Sequence, residues 1–358
     1  MVDPYTNFMK VLSGELTSSI PLYCTGYPDS EFISRFKTQY PLTSNDNELY
    51  LNDLDYSLIS SMGFDAISLW DFRRGKGGYK ISDDLYVDGW GRIKNKNNWY
   101  LWDGIFKNKP MIDSWNHLNL PSRKSLENLS KFLHETKYKQ TIEPVLSLPG
   151  LFEKTWQSMG FTFFSKMLKK NIEFITYVTH FFLNYLKKLT SELLKTGVVL
   201  FLIADDCGYN NRSFIPTSVW KQLFFGSYRE IVTIIHKGKG KVILHSDGYI
   251  TDLIPIFIDL GFDGIQSLEP SAGVDIFQLF KQFSDKICYI GNLDMTLLSF
   301  GTQADVKDYV EALINVSRKS HAPLIISPTQ QLDKSCKPEN VKIMIDCTKK
   351  FKLDQAHL

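Results

Sequence analysis

KVILHSDGYITDLIPIFIDLGFDGIQSLEP, residues 241–270, carries a strand, a helix and a second strand in one short piece of chain. The aliphatic run Val242-Ile243-Leu244 stops abruptly at His245, Ser246, Asp247 and Gly248. Apolar residues then recur three and four apart, as on one face of a helix. A second apolar run, beginning at Gly264, ends on Glu269. Both strands therefore finish on groups that bind protons or metals.

The same rhythm extends in both directions. The sequence predicts eight strands: 21–27, 65–70, 141–148, 198–205, 241–247, 264–270, 287–294 and 323–330. Most are continuous apolar runs, as strands covered on both faces must be. Helix-period segments lie between most of them, SVWKQLFFGSYREIVTIIHKG and VDIFQLFKQFSDK being the clearest. Eight β-α units predict an α/β fold of the (β/α)8 TIM-barrel kind. A miscount of one strand would leave an open sheet as the alternative. No repeat or linker divides residues 1–358, so a single barrel domain is expected. Residues 72–140 are too long for a plain crossover and read as an insertion after strand two. Within it, LYVDGWGRIKNKNNWYLWDG predicts a two-stranded hairpin turning at Lys94 to Asn97. Such a hairpin could lie over the strand ends as a partial lid carrying Trp90, Trp99, Tyr100 and Trp102. Those rings could equally pack it onto the barrel and do nothing else.

Composition narrows the classes. Forty-one basic against 39 acidic residues give a net charge of +2, a poor field for a nucleic-acid backbone. Aromatic residues are 14% of the chain, which fits a large core or a cavity for an apolar ligand. Five scattered cysteines without a CxxC pattern, and an N-terminus without signal-peptide layout, point to a reducing cytoplasm. The apolar stretch 174–194 is broken by His180, Asn184 and Lys187-Lys188, short of the roughly 20 clean residues of a membrane span. It reads as a buried helix.

In a parallel barrel the chemistry sits where strands end. The predicted strands end on Asp71, on Asp205-Asp206-Cys207, on His245 and Asp247, on Glu269, on Asn292 and Asp294, and on Ser327, Thr329 and Gln330, while the third carries Glu143. Desolvated carboxylates are costly unless paired or metal-bound, so their gathering on one rim points to a cation, a proton transfer or a polar ligand. His245 and Asp247, two apart at a strand end, could share one metal or one proton. Asp206, His245 and Asp247 are the expected metal ligands, with Glu269 beside them as a fourth catalytic candidate. Asp71, Trp90, Glu143, Asn292 and Asp294 are the expected substrate contacts. Plain structural roles stand beside these: His245 as a capped histidine, one of Asp205-Asp206 as a helix cap, Glu269 as an acceptor for loop amides. Cys207 reads as a small buried side chain, and HKGKGK (236–241) as a solvated turn at the wrong end of strand five.

Five stretches in order resemble the uroporphyrinogen decarboxylase superfamily, in its methyltransferase-like branch: YVDGWGRI, LIADDCGYNNRSFIP, KVILHSDGYITDLIPIFIDLGFDGIQSLEPSAGVDI, YIGNLDMTLLSFGTQADV and the closing PLIISPTQQL with KPENVKIMID. The resemblance implies a (β/α)8 barrel with its site at the strand ends. It also implies one of two chemistries: cofactor-free decarboxylation of a porphyrinogen, or methyl transfer involving a corrinoid protein, commonly with zinc. The decarboxylases carry an arginine-rich segment after strand one. Here CTGYPDSEFISRF holds only Arg35, late, with Asp29 and Glu31 ahead of it. The zinc thiol-methyltransferases carry cysteines where this chain has Asp247 and Ser327–Thr329. A zinc site here would use His245, Asp247 and Asp206 or Glu269, a harder set suited to an oxygen or nitrogen substrate. The reading favoured is methyl transfer between a small methoxy or methylamine compound and a corrinoid protein, with cobalamin on that separate partner because no D-x-H-x-x-G segment is present. A binding module that has lost catalysis is the alternative, and a decarboxylase the third. No membrane or nucleic-acid partner is expected, and assembly as a homodimer is left open.

Overall fold

All eight anticipated strands form, and each pairs in parallel with its neighbours. They are β1 (Tyr23–Cys24), β2 (Ala66–Leu69), β3 (Glu143–Pro149), β4 (Leu200–Ala204), β5 (Lys241–Ser246), β6 (Gly264–Ser267), β7 (Cys288–Leu293) and β8 (Leu324–Pro328). A parallel bridge between Leu22 and Ile326 links β1 to β8 and closes the ring. The result is a (β/α)8 barrel. The computed structural model describes residues 4–42, 50–52, 54–69, 77–97, 99–139 and 141–351.

Inward-facing side chains fill the barrel: Tyr23, Ala66, Val145, Leu200, Leu202, Ile243, Ile290 and Ile325. Its lower end, where the strands begin, is stoppered by helix α1 (Pro4–Leu12). Phe8, Val11 and Leu12 of α1 join the same cluster and are almost wholly buried. Gly264 begins β6 because a side chain there would meet Leu12 Cδ1 at 2.8 Å. The opposite end, where strands finish, is left to polar groups.

The apolar stretch 174–194 lies within helix α3 (Ile172–Lys195). One stripe of it, with Val178, Phe182, Leu186, Leu189 and Leu193, is buried. Among the described residues no helix is long and apolar enough to cross a membrane.

The insertion differs from expectation. Instead of a two-stranded hairpin it forms a four-stranded antiparallel sheet: Gly78–Lys80, Leu85–Asp88, Arg92–Asn95 and Tyr100–Gly104. The anticipated turn at 94–97 joins the last two strands. Asp88 makes the tighter turn before it, accepting the Trp90 and Arg92 amides at 3.0 and 3.1 Å. Gly91 follows Trp90 at φ +79, a conformation glycine adopts without penalty. The sheet docks on helix α2 (Leu151–Met159) at backbone distance. A Cβ on Gly104 would lie 2.1 Å from Ser158 O, so no larger residue fits there.

The stopper makes a direct prediction. Phe8→Ala should leave a cavity at the foot of the barrel and lower stability by about 3–5 kcal/mol. Urea unfolding of the two proteins measures it, and an unchanged midpoint would show that α1 is dispensable.

Candidate functional site

The two acids that end β4 are adjacent in sequence but point to different places. Asp205 is fully buried. Its carboxylate accepts the Phe152 and Glu153 amides at 3.1 and 2.7 Å, in the open first turn of α2, and also the Tyr228 hydroxyl. It thus caps a helix on the preceding βα unit. Gly150 is required beside it, because a Cβ there would fall 2.0 Å from Asp205 Cβ. Burial, then the negative charge of Glu153, push the Asp205 carboxyl up to about 7. Cys207, buried behind it and raised well above the usual thiol range, is the small core side chain expected of it.

Asp206 turns into the mouth of the barrel. There it meets His245 and Asp247 from the end of β5. His245 Nε2 lies 3.9 Å from Asp206 Oδ1 and 3.8 Å from Asp247 Oδ1. Asp206 Oδ1 also accepts the Asp247 amide at 3.0 Å, and Ser267 Oγ donates to Asp247 Oδ1 at 3.0 Å. Burial, then the charges of Glu153 and Asp247, raise the Asp206 carboxyl to about 6, opposed by His245. The outer part of its side chain, 42% exposed, reaches the cavity and moderates that effect.

The imidazole is held from behind. His245 and Gln266 are register partners on β5 and β6. Gln266 Nε2 donates to Thr25 Oγ1 at 3.2 Å and Thr329 O at 3.2 Å, with Pro328 O at 3.4 Å. Carbonyls only accept, so the amide NH2 must face them and Gln266 Oε1 must face His245 Nδ1, to which it is bonded. Nδ1 therefore carries the proton, and in the neutral ring the Nε2 lone pair points at the two carboxylates. One ligand atom from each of Asp206, His245 and Asp247 lies within 4.8 Å of the others. Zinc bonds of about 2.0–2.2 Å place tetrahedral ligands roughly 3.3–3.6 Å apart. A slight closing of two partly exposed carboxylates would bring this set onto one ion. The donor set fits a metal.

These three groups form part of the floor of a cavity of about 890 Å3. Its wall includes two cations that sequence reasoning passed over. Arg92 reaches in from the insertion, held to Asp88 Oδ2 at 2.7 Å and donating to Gln157 Oε1 at 3.1 Å. Lys154, nearly buried on α2, donates to the same Gln157 oxygen at 3.1 Å and lies 3.4 Å from Glu153 Oε2. A signal was present: Glu153-Lys154 comes just past the short Pro149-Gly150 turn after a predicted strand, at the functional end. Gln266 was legible too, as an amide inside an apolar run.

Several anticipated contacts sit elsewhere. Glu269 accepts the Gly248 amide at 2.9 Å and Ser271 Oγ at 3.3 Å, and lies outside the three-residue cluster. Trp90 is buried against Phe182 and Tyr185, packing the insertion onto α3. Glu143 starts β3 and is buried at the opposite end of the barrel. Asn292 is wholly buried, bonded to Leu268 O and the Tyr309 hydroxyl. Asp294 caps the helix Met295–Phe300 through the Thr296 amide. For Glu269, Asn292 and Asp294 a backbone amide or carbonyl engages the side chain, and for Trp90 neighbouring rings do. Asp71 lies outside the described residues.

A sequence profile described as uroporphyrinogen decarboxylase (URO-D) matches residues 155–351, more than half of the chain. The chain belongs to the uroporphyrinogen decarboxylase family. No curated protein matches its sequence. Among solved structures, a methyltransferase from Methanosarcina mazei superposes with TM-score 0.69 at 13% identity, over 98% of this chain and 99% of that one. A B12-independent methionine synthase from Shewanella sp. W3-18-1, in complex with selenomethionine, gives TM-score 0.52 at 12% identity, over 92% and 96%. At such identities the likeness is one of fold.

The Asp205 cap yields two measurements. Asp205→Ala strands two amides and a hydroxyl and should cost about 3 kcal/mol or more in urea unfolding at neutral pH. The raised carboxyl holds its proton in the folded chain up to about pH 7. The unfolded chain loses it above about pH 4. Unfolding then releases a proton across that window, so this group makes stability fall as pH rises from about 4 to about 7, and adds no further slope above. Asp205→Asn should remove that decline; an unaltered slope would assign it to other groups.

Proposed function

We propose that this chain is a methyltransferase that moves a methyl group between a small methylated compound, of the methoxy or methylamine type, and a corrinoid protein. The observation that carries this reading is the convergence of Asp206, His245 and Asp247 on one point of a large strand-end cavity. Membership of the family and the fold shared with a methanogen methyltransferase support it. A porphyrinogen's many carboxylates fit this cavity poorly. Its lining holds Asp29, Glu153, Asp206, Asp247 and Asp333 against Arg92 and Lys154. Arg35, the one arginine near the segment where the decarboxylases carry several, is spent on Lys334 O at 2.6 Å.

Asp206, His245 and Asp247 are the proposed ligands of a metal, with zinc as the first choice. A bound ion would supply Lewis acidity to an oxygen or nitrogen of the substrate. The chain's own groups do the rest. Gln266 fixes the imidazole tautomer, Ser267 orients Asp247, and the Asp247 amide orients Asp206. Arg92 and Lys154 set the polarity of the facing wall. Glu153, beside them, raises the proton affinity of Asp206 and so favours a cation over water near it. The cobalamin cofactor is proposed to arrive on a separate corrinoid protein at the open end of the barrel.

The test pairs metal analysis with turnover. Purified protein should retain stoichiometric zinc that His245→Ala loses, and should methylate cob(I)alamin from at least one methoxy or methylamine compound. Gln266→Leu, which leaves every ligand in place, should weaken zinc binding about 10–100-fold. Protein that binds no divalent metal and transfers no methyl group across such a panel would favour a non-catalytic binding role instead.

A further inference from the structure

A second chamber of about 330 Å3 adjoins the main cavity and shares Asp206 and Asp247 with it. On its far side stand Glu269 and three aromatic residues, Trp102, Tyr209 and Phe214. No lysine or arginine lines it among the described residues. This opposes the main cavity, where Arg92 and Lys154 are part of the wall.

The aromatic side is built rather than incidental. Trp102 stacks on Trp156 at 5.3 Å between ring centroids, and Phe214 stacks on Trp156 at 5.8 Å. Tyr209 meets Phe214 edge-on at 5.6 Å. Trp156 is buried and fixes its two neighbours, yet Trp102 is 54% exposed and Tyr209 50%. Trp102 also holds φ +59, a region that bulky residues rarely occupy. Exposing two large rings beside carboxylates, one of them on a strained backbone, has no value for the core. Rings and carboxylates together attract one class of ligand: a cation whose charge is spread over methyl groups.

We infer that this side chamber binds a methylated ammonium group, its methyls against Trp102, Tyr209 and Phe214 and its charge balanced by Glu269 and the two shared aspartates. The inference rests on the methyl-transfer reading for the role of the ligand, and narrows that reading to an N-methylated cation, whose nitrogen has no lone pair for a metal until a methyl has left, so a bound ion would serve only the departing amine. Binding itself needs neither metal nor corrinoid partner. A divalent ion held by Asp206 and Asp247 would neutralise those two and leave Glu269 and the rings in place. Ammonium affinity should therefore fall, without vanishing, when zinc is added.

The full-length, metal-free protein is titrated with choline, with tetramethylammonium, and with 3,3-dimethylbutan-1-ol, the uncharged carbon counterpart of choline. Calorimetry and tryptophan fluorescence follow binding. Both cations should bind at least about tenfold more tightly than the alcohol. Trp102→Ala and Tyr209→Ala should each weaken the cations about tenfold, while Trp102→Phe, which keeps a ring, loses less. Because Trp102 and Tyr209 are half exposed, these variants should fold, and circular dichroism checks that they do. Equal affinity for the neutral alcohol overturns the inference. So does unchanged binding in the two alanine variants, or no binding of either cation at about 50 mM. His245→Ala separates the two readings: lost metal with retained choline binding supports both sites. Intact metal binding and methyl transfer without ammonium binding overturns only this inference, and ammonium binding without any metal overturns only the metal site.

Discussion

The side-chain amide of Gln266 is the constraint on which the candidate site depends. Its NH2 is committed to Thr25 from the end of β1 and to the Pro328 and Thr329 carbonyls at the end of β8. That is the seam where the barrel closes. Its oxygen is left for His245 Nδ1. Closure of the fold and orientation of the imidazole are thus one set of hydrogen bonds. A one-residue slip of β6 against β5 would turn Gln266 out of the barrel and leave a buried histidine nitrogen without an acceptor.

A second division of labour lies in Asp205 and Asp206. Successive residues at a strand end point to opposite sides. One carboxylate is used up on the first turn of α2 and the Tyr228 hydroxyl; the other is delivered to the cavity. The first anchors α2, and α2 in turn carries Glu153 and Lys154 into the cavity wall and supports the insertion through the Ser158 and Met159 carbonyls, which accept from the Phe106 amide and Lys107. The insertion then places Arg92 and Trp102 on either side of the aspartate pair, Arg92 in the larger cavity and Trp102 in the smaller. The mouth of the barrel therefore carries charges of both signs toward one side, and rings with carboxylates alone toward the other.

Most of the barrel could be read directly, because strands buried on both faces leave uninterrupted runs such as Val198–Ala204 and Val242–Leu244. The triad was legible for the same reason: His245, Asp247 and Asp206 interrupt such runs at their ends. The other assignments had polarity alone as their guide, and the fold gives most of those side chains a partner within the protein. Glu269, Asn292 and Asp294 also end strands, but a nearby backbone amide or carbonyl satisfies each, and those partners come from neighbouring loops that sequence spacing does not reveal. Glu143 turns out to begin its strand, far from the mouth, a position that composition does not distinguish from the strand's other end. Arg92, Lys154 and Gln266 were missed because their roles depend on which strands and helices become neighbours. The extra strands of the insertion were missed because Gly78–Lys80 and Leu85–Asp88 are short and only half buried, too weak a period to stand out.

His245 turns Nε2 toward two carboxylates because Gln266 accepts its Nδ1–H. Long-range proton–nitrogen correlation of the imidazole of His245, assigned by comparison with His245→Ala and recorded at neutral pH without and then with zinc, tests this most directly. The expected spectrum shows the Nδ1–H tautomer, with the Nε2 resonance moving when zinc is added. An Nε2–H tautomer, or a ring whose nitrogens ignore zinc, would contradict it.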